Sequence, residues 1–203
     1  MTEWTQRAHV LADHAVSGVL GHVSSLHFDT MSELLWVGSA SGQLTSHTGA
    51  LPTLPRYTSL AAHGVPKQPR HVRGILSDDK FIISLSEGRV CASQRQGLGR
   101  WSMQIEDHAP GVALAGLCAS PQSASSDIIV GGAAPNSHDA LFALHSTSGR
   151  IVRRAVSDGT VTQLRKGNRY LCVGTEEGTI QLHDPRSLSA EHKLPAHHGG
   201  LID

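Results

Sequence analysis

The chain has 203 residues, enough to bury a sizeable core. Its 17 basic residues equal its 17 acidic ones, which excludes a chain whose whole surface is a basic nucleic-acid face while leaving room for a local patch. Apolar residues make up 39% and aromatic ones 4%, so the core must be aliphatic and small, and 14 histidines make the net charge climb below about pH 6.5.

The opening "MTEWTQRAHVLADHAV" lacks a basic start followed by an apolar stretch, so residues 1–20 read as a lead-in and not as a secretory signal. Residues 21–62 then run through a β-rich segment (VSSLHF), a polar turn (DTMSE), a continuous apolar run (LLWVG) and a tight turn (SASG). Residues 63–110 repeat that order as VRGILS, DDK, FIIS and SEG. Residues 111–156 do so as LAGLCA, PQSASSD and IIVG, after which the turn stretches into GAAPNSHDA, an expected exposed excursion. Residues 157–196 give VTQL, KGN, YLCVG and TEEG, then an alternating strand from Thr179 to His183. Residues 197–203 begin a fifth unit. The continuous apolar runs suit strands covered on both faces, and the turns end in Gly because a positive φ is cheapest there.

The spacing of the units is regular. Val37-Gly38 with Gly42 matches Val173-Gly174 with Gly178, and each phrase carries a histidine at the same offset, His47 and His183. Ile83 with Gly88, and Val130 with Gly131, fall at the same relative places, so the steps are 46, 47 and 43 residues. That is close to the period of WD40 repeats, about 40–45 residues. "GTIQLHDPRS" has the shape of the Trp-Asp ending of a WD40 third strand, with His183 in the Trp place and Asp184 kept. His108 and His197 each lie four residues before a first strand, fit the Gly-His feature, and are read as buried hydrogen-bonding anchors. The predicted fold is all-β, a WD40-type β-propeller with about four blades plus the first strand of a fifth. Propellers close with 4–8 blades; a closed four-blade ring would not leave a fifth begun, and an open stack exposes strand edges. The chain therefore reads as the front part of a larger ring.

No catalytic constellation is found. "GSASG" has Ala40 where a nucleophile elbow needs Ser, "GLGRW" lacks the third glycine of a dinucleotide loop, and no H-E-x-x-H occurs. His197 and His198 are adjacent and would point to opposite faces of a strand, away from a common metal. The acidic pairs Asp78-Asp79, Glu106-Asp107 and Glu176-Glu177 fall at turns, and the Asp-x-Glu of a two-metal nuclease is missing from the sequence. Cys91, Cys118 and Cys172 are scattered in apolar runs and read as reduced, buried thiols of an intracellular protein. "GVALAGLCA" is half as long as the roughly 20 residues of a membrane span, so no membrane is expected. "GRIVRR", with Arg150, Arg153 and Arg154, could touch phosphates but reads first as a solvated or protein-facing rim.

"LLWVGSASGQLTSH…PRYTSLAAH", "VRGILSDDKFIISLSEGRVCASQRQG" and "GTIQLHDPRSLSAEHKLPAHHGGLID" together resemble the amino-terminal propeller of the catalytic subunit of the poly(A)-nuclease deadenylation complex, from about residue 20 onward. The resemblance implies a seven-bladed ring, here in its front part, within a poly(A)-specific 3′ exoribonuclease of the cytoplasm and P-bodies. It implies a non-catalytic scaffold for these residues, with contacts to the dimeric regulatory subunit and to poly(A) RNA coated by poly(A)-binding protein. It assigns magnesium to an exonuclease domain outside these residues, and no cofactor to the propeller segment itself. A general WD40 adaptor unrelated to deadenylation, and a propeller enzyme with substrate in the central channel, remain alternatives. The apolar, small first strands (VRGIL, VTQL) speak against the second of these.

Overall fold

Each of the four sequence units folds into one antiparallel sheet whose strands pair in chain order. A computed structural model describes residues 22–29, 31–48, 56–61, 64–65, 68–120, 127–134 and 139–196. Sheet one holds β1 (Val23–Phe28), β2 (Leu34–Ser39), β3 (Gln43–Thr48) and β4 (Arg56–Ala61). A short pair, β5 (Gly64–Val65) and β6 (Gln68–Pro69), precedes sheet two, which is β7 (Gly74–Ser77), β8 (Phe81–Ser86), β9 (Arg89–Gln94) and β10 (Gly99–Gln104). A single 3₁₀ turn, Ile105–Asp107, leads to sheet three: β11 (Ala113–Ala119), β12 (Asp127–Ala133), β13 (Leu141–His145) and β14 (Ile151–Ala155). Sheet four is β15 (Val161–Lys166), β16 (Leu171–Thr175), β17 (Thr179–His183) and β18 (Ala190–Pro195). No α-helix occurs among the described residues, and the all-β blade architecture is the one the repeat predicts. The start of a fifth unit, at residues 197–203, lies outside the described residues.

The burial of each strand follows its place in the blade. The first strands β1, β7, β11 and β15 are where neighbouring sheets meet, so they line the inner side. Second strands are covered on both faces; all of β8 is buried, as its unbroken apolar run requires. The fourth strand β18 is exposed along its whole length and correspondingly polar. The cores lie between blades. Leu85, Val90, Leu114, Val130 and Phe142 fill the space between sheets two and three, and Ile129, Leu141, Leu164, Leu171 and Val173 that between three and four. Among the described residues, Trp36, Leu44 and Ile82 cluster between sheets one and two, with Leu34 and Ile75 packed against them. On the far side of sheet one Leu26 and Phe28 are exposed, and so is Leu194 on the far side of sheet four.

Polar ties reinforce the junctions. The Val72 N–H donates to the Ser39 carbonyl at 3.1 Å and the Leu114 N–H to the Glu87 carbonyl at 2.7 Å, so the lead-in to a blade is pinned to the turn of the preceding one. Trp101 Nε1 donates to the Ser146 carbonyl at 2.7 Å across sheets two and three. The stretched turn of the third unit begins later than its sequence suggests. Gly132 and Ala133 belong to β12, paired with Leu114 and Ala113, because two glycines in succession let the strand continue close against its neighbour.

Candidate functional site: the blade junctions and their rim

The repeated glycines have two separate jobs. Gly42 and Gly178 take φ of 83° and 76° in the β2–β3 and β16–β17 turns, a left-handed conformation that a side chain would strain. Gly88, the corresponding residue of sheet two, is not left-handed, which corrects the expectation. It ends a two-residue connection in which its carbonyl accepts the Ile105 N–H at 3.0 Å, and a Cβ would strike the Arg70 guanidinium. Gly38, Gly131 and Gly174 are each paired at a bulge in the first strand of their sheet, opposite Ser25, Gly116 and Gln163. A Cβ on Gly38 would sit 2.6 Å from Val72 Cγ1, and one on Gly131 would sit 3.1 Å from Val161 Cγ1. Both valines belong to the next blade. Gly38 and Gly131 therefore let successive blades approach.

The histidine positions separate too. His183 is fully buried, with Nδ1 2.8 Å from the Leu188 carbonyl and Nε2 3.0 Å from Gln181 Oε1. Leu188 adopts φ 60°, which turns its carbonyl into the blade. Asp184 caps the same turn, accepting the N–H groups of Arg186 and Ser187 and the Ser187 hydroxyl, and these bonds hold its carboxyl below the ordinary value. His47, at the matching place in sheet one, is also fully buried and lies 3.1 Å from Thr45 Oγ1. His108 is exposed, contrary to its reading as a buried anchor. It ends the 3₁₀ turn, where the flanking Ile105 and Ala109 take the buried places, while the His108 N–H donates to the Ile105 carbonyl at 2.9 Å and its carbonyl accepts from Arg154. His197 and His198 lie outside the described residues.

One histidine that the sequence pattern did not single out ties two blades together. His27 Nε2 accepts the Ser77 N–H at 3.1 Å and lies 2.8 Å from the Ser77 hydroxyl, so the ring must be unprotonated at that nitrogen. Burial lowers the pKa of His27, opposed by Asp29, and burial likewise lowers that of His183, opposed by the Leu188 carbonyl. A folded pKa below the unfolded one means full stability above about pH 6.5, lost progressively as pH falls through the folded values. Thermal melting is thus expected to weaken between pH 7.5 and pH 5, and His27→Gln should flatten part of that dependence. An unchanged pH profile in the variant would refute the assignment.

The described surface offers polar clefts and charged turns. Among the described residues no group of three or more His, Cys, Asp or Glu could hold a metal ion. The turn acids are engaged with backbone: Asp78 accepts the N–H groups of Lys80 and Phe81, Glu106 that of Gly111, and Glu177 that of Thr160. Burial pushes the Cys91 thiol up to about 11 and Cys118 to about 12, so neither is a ready nucleophile. No helix among the described residues is long and apolar enough to cross a membrane. A polar cleft of about 590 Å³ opens where sheets two and three meet, lined by Arg70, His71, Arg73, Glu87 and Glu106. Arg73 donates to Glu87 there at 3.2 Å. The "GRIVRR" run does not act as one group: Arg153 turns to Asp127 and the Arg186 carbonyl, and Arg154 to the His108 carbonyl and Asp139.

Comparison with known proteins matches this geometry. The family described as PAN2 N-terminal matches residues 8–203. The PAN2-PAN3 deadenylation complex catalytic subunit of Aspergillus oryzae is 36% identical over 158 residues, covering 77% of this chain and 12% of that protein. The subunit of the same name from Phaeosphaeria nodorum is 31% identical over 182 residues, covering 89% of this chain and 15% of that protein. The chain thus spans about an eighth to a seventh of the length of these relatives. The Neurospora crassa Pan2 WD40 domain superposes with a TM-score of 0.78 at 24% identity, over 97% of this chain and 57% of that one. The WD40 propeller domain of Doa1 superposes with a TM-score of 0.68 at 14% identity, over 89% of this chain and 56% of that one.

Proposed function

The chain belongs to the PAN2 N-terminal family, and on that premise we propose that it is a non-catalytic scaffold segment of a messenger-RNA poly(A)-tail-shortening exoribonuclease subunit, holding the regulatory partner and the poly(A) ribonucleoprotein in place. The family match over residues 8–203 carries this reading. The structure is compatible with it, since the four blades offer a polar cleft and a varied rim. Such surfaces suit partner proteins, with the blades as a rigid support. The regulatory subunit and poly(A)-binding protein are the proposed partners, in the cytoplasm and its P-bodies. Magnesium, which an exonuclease domain would need, does not fit the described residues, where no three acidic or histidine ligands converge.

The test is affinity purification of the native protein from its source cells. The regulatory subunit should co-purify, and the preparation should shorten poly(A) RNA from its 3′ end. Recovery with neither the subunit nor the activity would overturn the reading in favour of a general WD40 adaptor.

A further inference from the structure

The balanced total charge conceals a separation along the blades. At the end of sheets three and four that carries the β13–β14, β15–β16 and β17–β18 turns, Arg150, Arg165, Lys166, Arg169 and Arg186 are all exposed. None of the five has a carboxylate at ion-pair distance among the described residues. Of the three acids at this end, Glu191 is exposed beside His192 at the start of β18, and the other two are already engaged. Asp127 is held by Arg153 at 2.6 Å, and Asp184 by the N–H groups of its own turn. The opposite end of sheet four carries Asp158, Glu176 and Glu177, with Lys193 paired to Asp158 at 2.5 Å.

Topology gathers residues that are apart in sequence. Arg165 and Lys166 close β15 opposite Cys172 and Leu171, and Arg169 lies in the turn between those strands. The Arg186 turn is bound to sheet three by a 2.9 Å bond from Arg153 to the Arg186 carbonyl. Arg150 stands just ahead of β14, its carbonyl accepting the His145 N–H at 2.9 Å. Beside Arg169, the Tyr170 ring meets His192 edge-on with centroids 6.0 Å apart.

We propose that this end of blades three and four binds the phosphodiester backbone of a single-stranded nucleic acid. Like charges left together without counter-ions repel one another, and a polyanion relieves that repulsion while releasing its own counter-ions. Four of the five cations are arginines, whose planar fork matches a phosphate in two hydrogen bonds. Their spread over two blades suits several phosphates in succession, and Tyr170 with His192 supplies rings on which a base can stack. An acidic peptide would meet the same charges but would have no use for those rings. This binding goes beyond the scaffold role, since it requires no partner protein and would hold if that role failed.

The test is anisotropy of a fluorescein-labelled single-stranded RNA of mixed sequence, titrated with the full chain over a range of salt concentrations. Five neutralised phosphates give a log–log salt slope of about −3.5, and the triple variant Arg165→Gln/Lys166→Gln/Arg169→Gln should reduce it to about −1.4. Should the triple variant melt early, Arg150→Gln/Arg186→Gln reads the same slope, with about −2.1 expected. Arg73→Gln, in the cleft between sheets two and three, should change nothing. Tyr170→Ala should weaken RNA binding about tenfold and leave heparin binding intact. Absence of binding at low salt, or a slope unaltered in both charge variants, overturns the proposal. Displacement of the RNA by polyglutamate at equal charge also overturns it, in favour of an acidic-peptide surface.

Discussion

Gly132→Ala is expected to destabilise the protein by about 3 kcal/mol, the upper part of the range for overpacking a tight interior. A Cβ at this position would lie 2.7 Å from the Ala113 carbonyl carbon and 2.7 Å from Leu114 Cα, closer still to the Ala113 oxygen. All three are backbone atoms of the paired strand β11, which cannot rotate out of the way. Relief would require β11 to leave its register, and β11 is the strand against which sheets two and four pack. An opposing effect exists, because Gly→Ala restricts the unfolded chain and adds about 0.4–1 kcal/mol of stability where the site tolerates it. The clash is larger, so the sign is destabilising. Gly131→Ala is the comparison: its Cβ would meet the end of the Leu141 side chain at 2.8 Å, and Val161 Cγ1 and the Ala140 carbonyl oxygen each at 3.1 Å, so the tightest neighbour can shift and the backbone atom stands off further than at Gly132. About 1 kcal/mol is expected there. Urea unfolding of the two variants decides it, and equal midpoints would show that backbone and side-chain neighbours yield alike.

That contrast also marks how far the sequence can be read. Its period and its apolar runs are local properties, and they sufficed for four four-stranded sheets in chain order. The repeated Val-Gly was legible as a repeat, but its reason was not, because Val72 and Val161, which press on Gly38 and Gly131, belong to following blades. Gly132, without a counterpart in the repeat, sits in the tighter place. Gly88 looked like Gly42 in sequence and differs in backbone, since a turn shortened by one residue changes which dihedrals close it. His108 matched a feature of the repeat, yet its neighbours Ile105 and Ala109 compete better for the buried places.

The rim was the least legible part. Arg150, Arg153 and Arg154 are near neighbours in the chain, but strand alternation sends Arg153 and Arg154 to opposite faces, where each finds a carboxylate. The cations left without one come from the end of β15 and from three different turns. Only the pairing of strands brings them to one end, so no spacing rule along the chain could have found them.

Asp29→Ala should cost about 3 kcal/mol, through the junction of sheets one and two. The Asp29 side chain is 0% exposed and accepts Arg95 Nη2 at 2.5 Å, Trp36 Nε1 at 2.9 Å and the Met31 N–H at 2.8 Å. Burial pushes its carboxyl up, but the bonds from Arg95, Trp36 and Met31 outweigh it, and the net pKa lies below the ordinary 3.8. Its stabilisation is therefore complete above about pH 4 and disappears as pH falls through the folded value. Removing one member of a fully buried pair costs about 3–5 kcal/mol. Arg95 is 22% exposed and keeps the Asp78 carbonyl and Ser32, which lowers that figure, while the unpaired Trp36 Nε1–H raises it again. A double-mutant cycle with Arg95→Ala should return a coupling of about 1–2 kcal/mol, and a value near zero would mean that the pair is only adjacent. Asp127→Ala supplies the comparison, since Asp127 joins Arg153 beside the large core of sheets three and four. The Asp29 side chain is 0% exposed against 14% for Asp127, and it holds the Trp36 indole N–H as well as Arg95. The loss at Asp29 should accordingly exceed the loss at Asp127, and the reverse order would show that burial and the indole bond do not set the ranking.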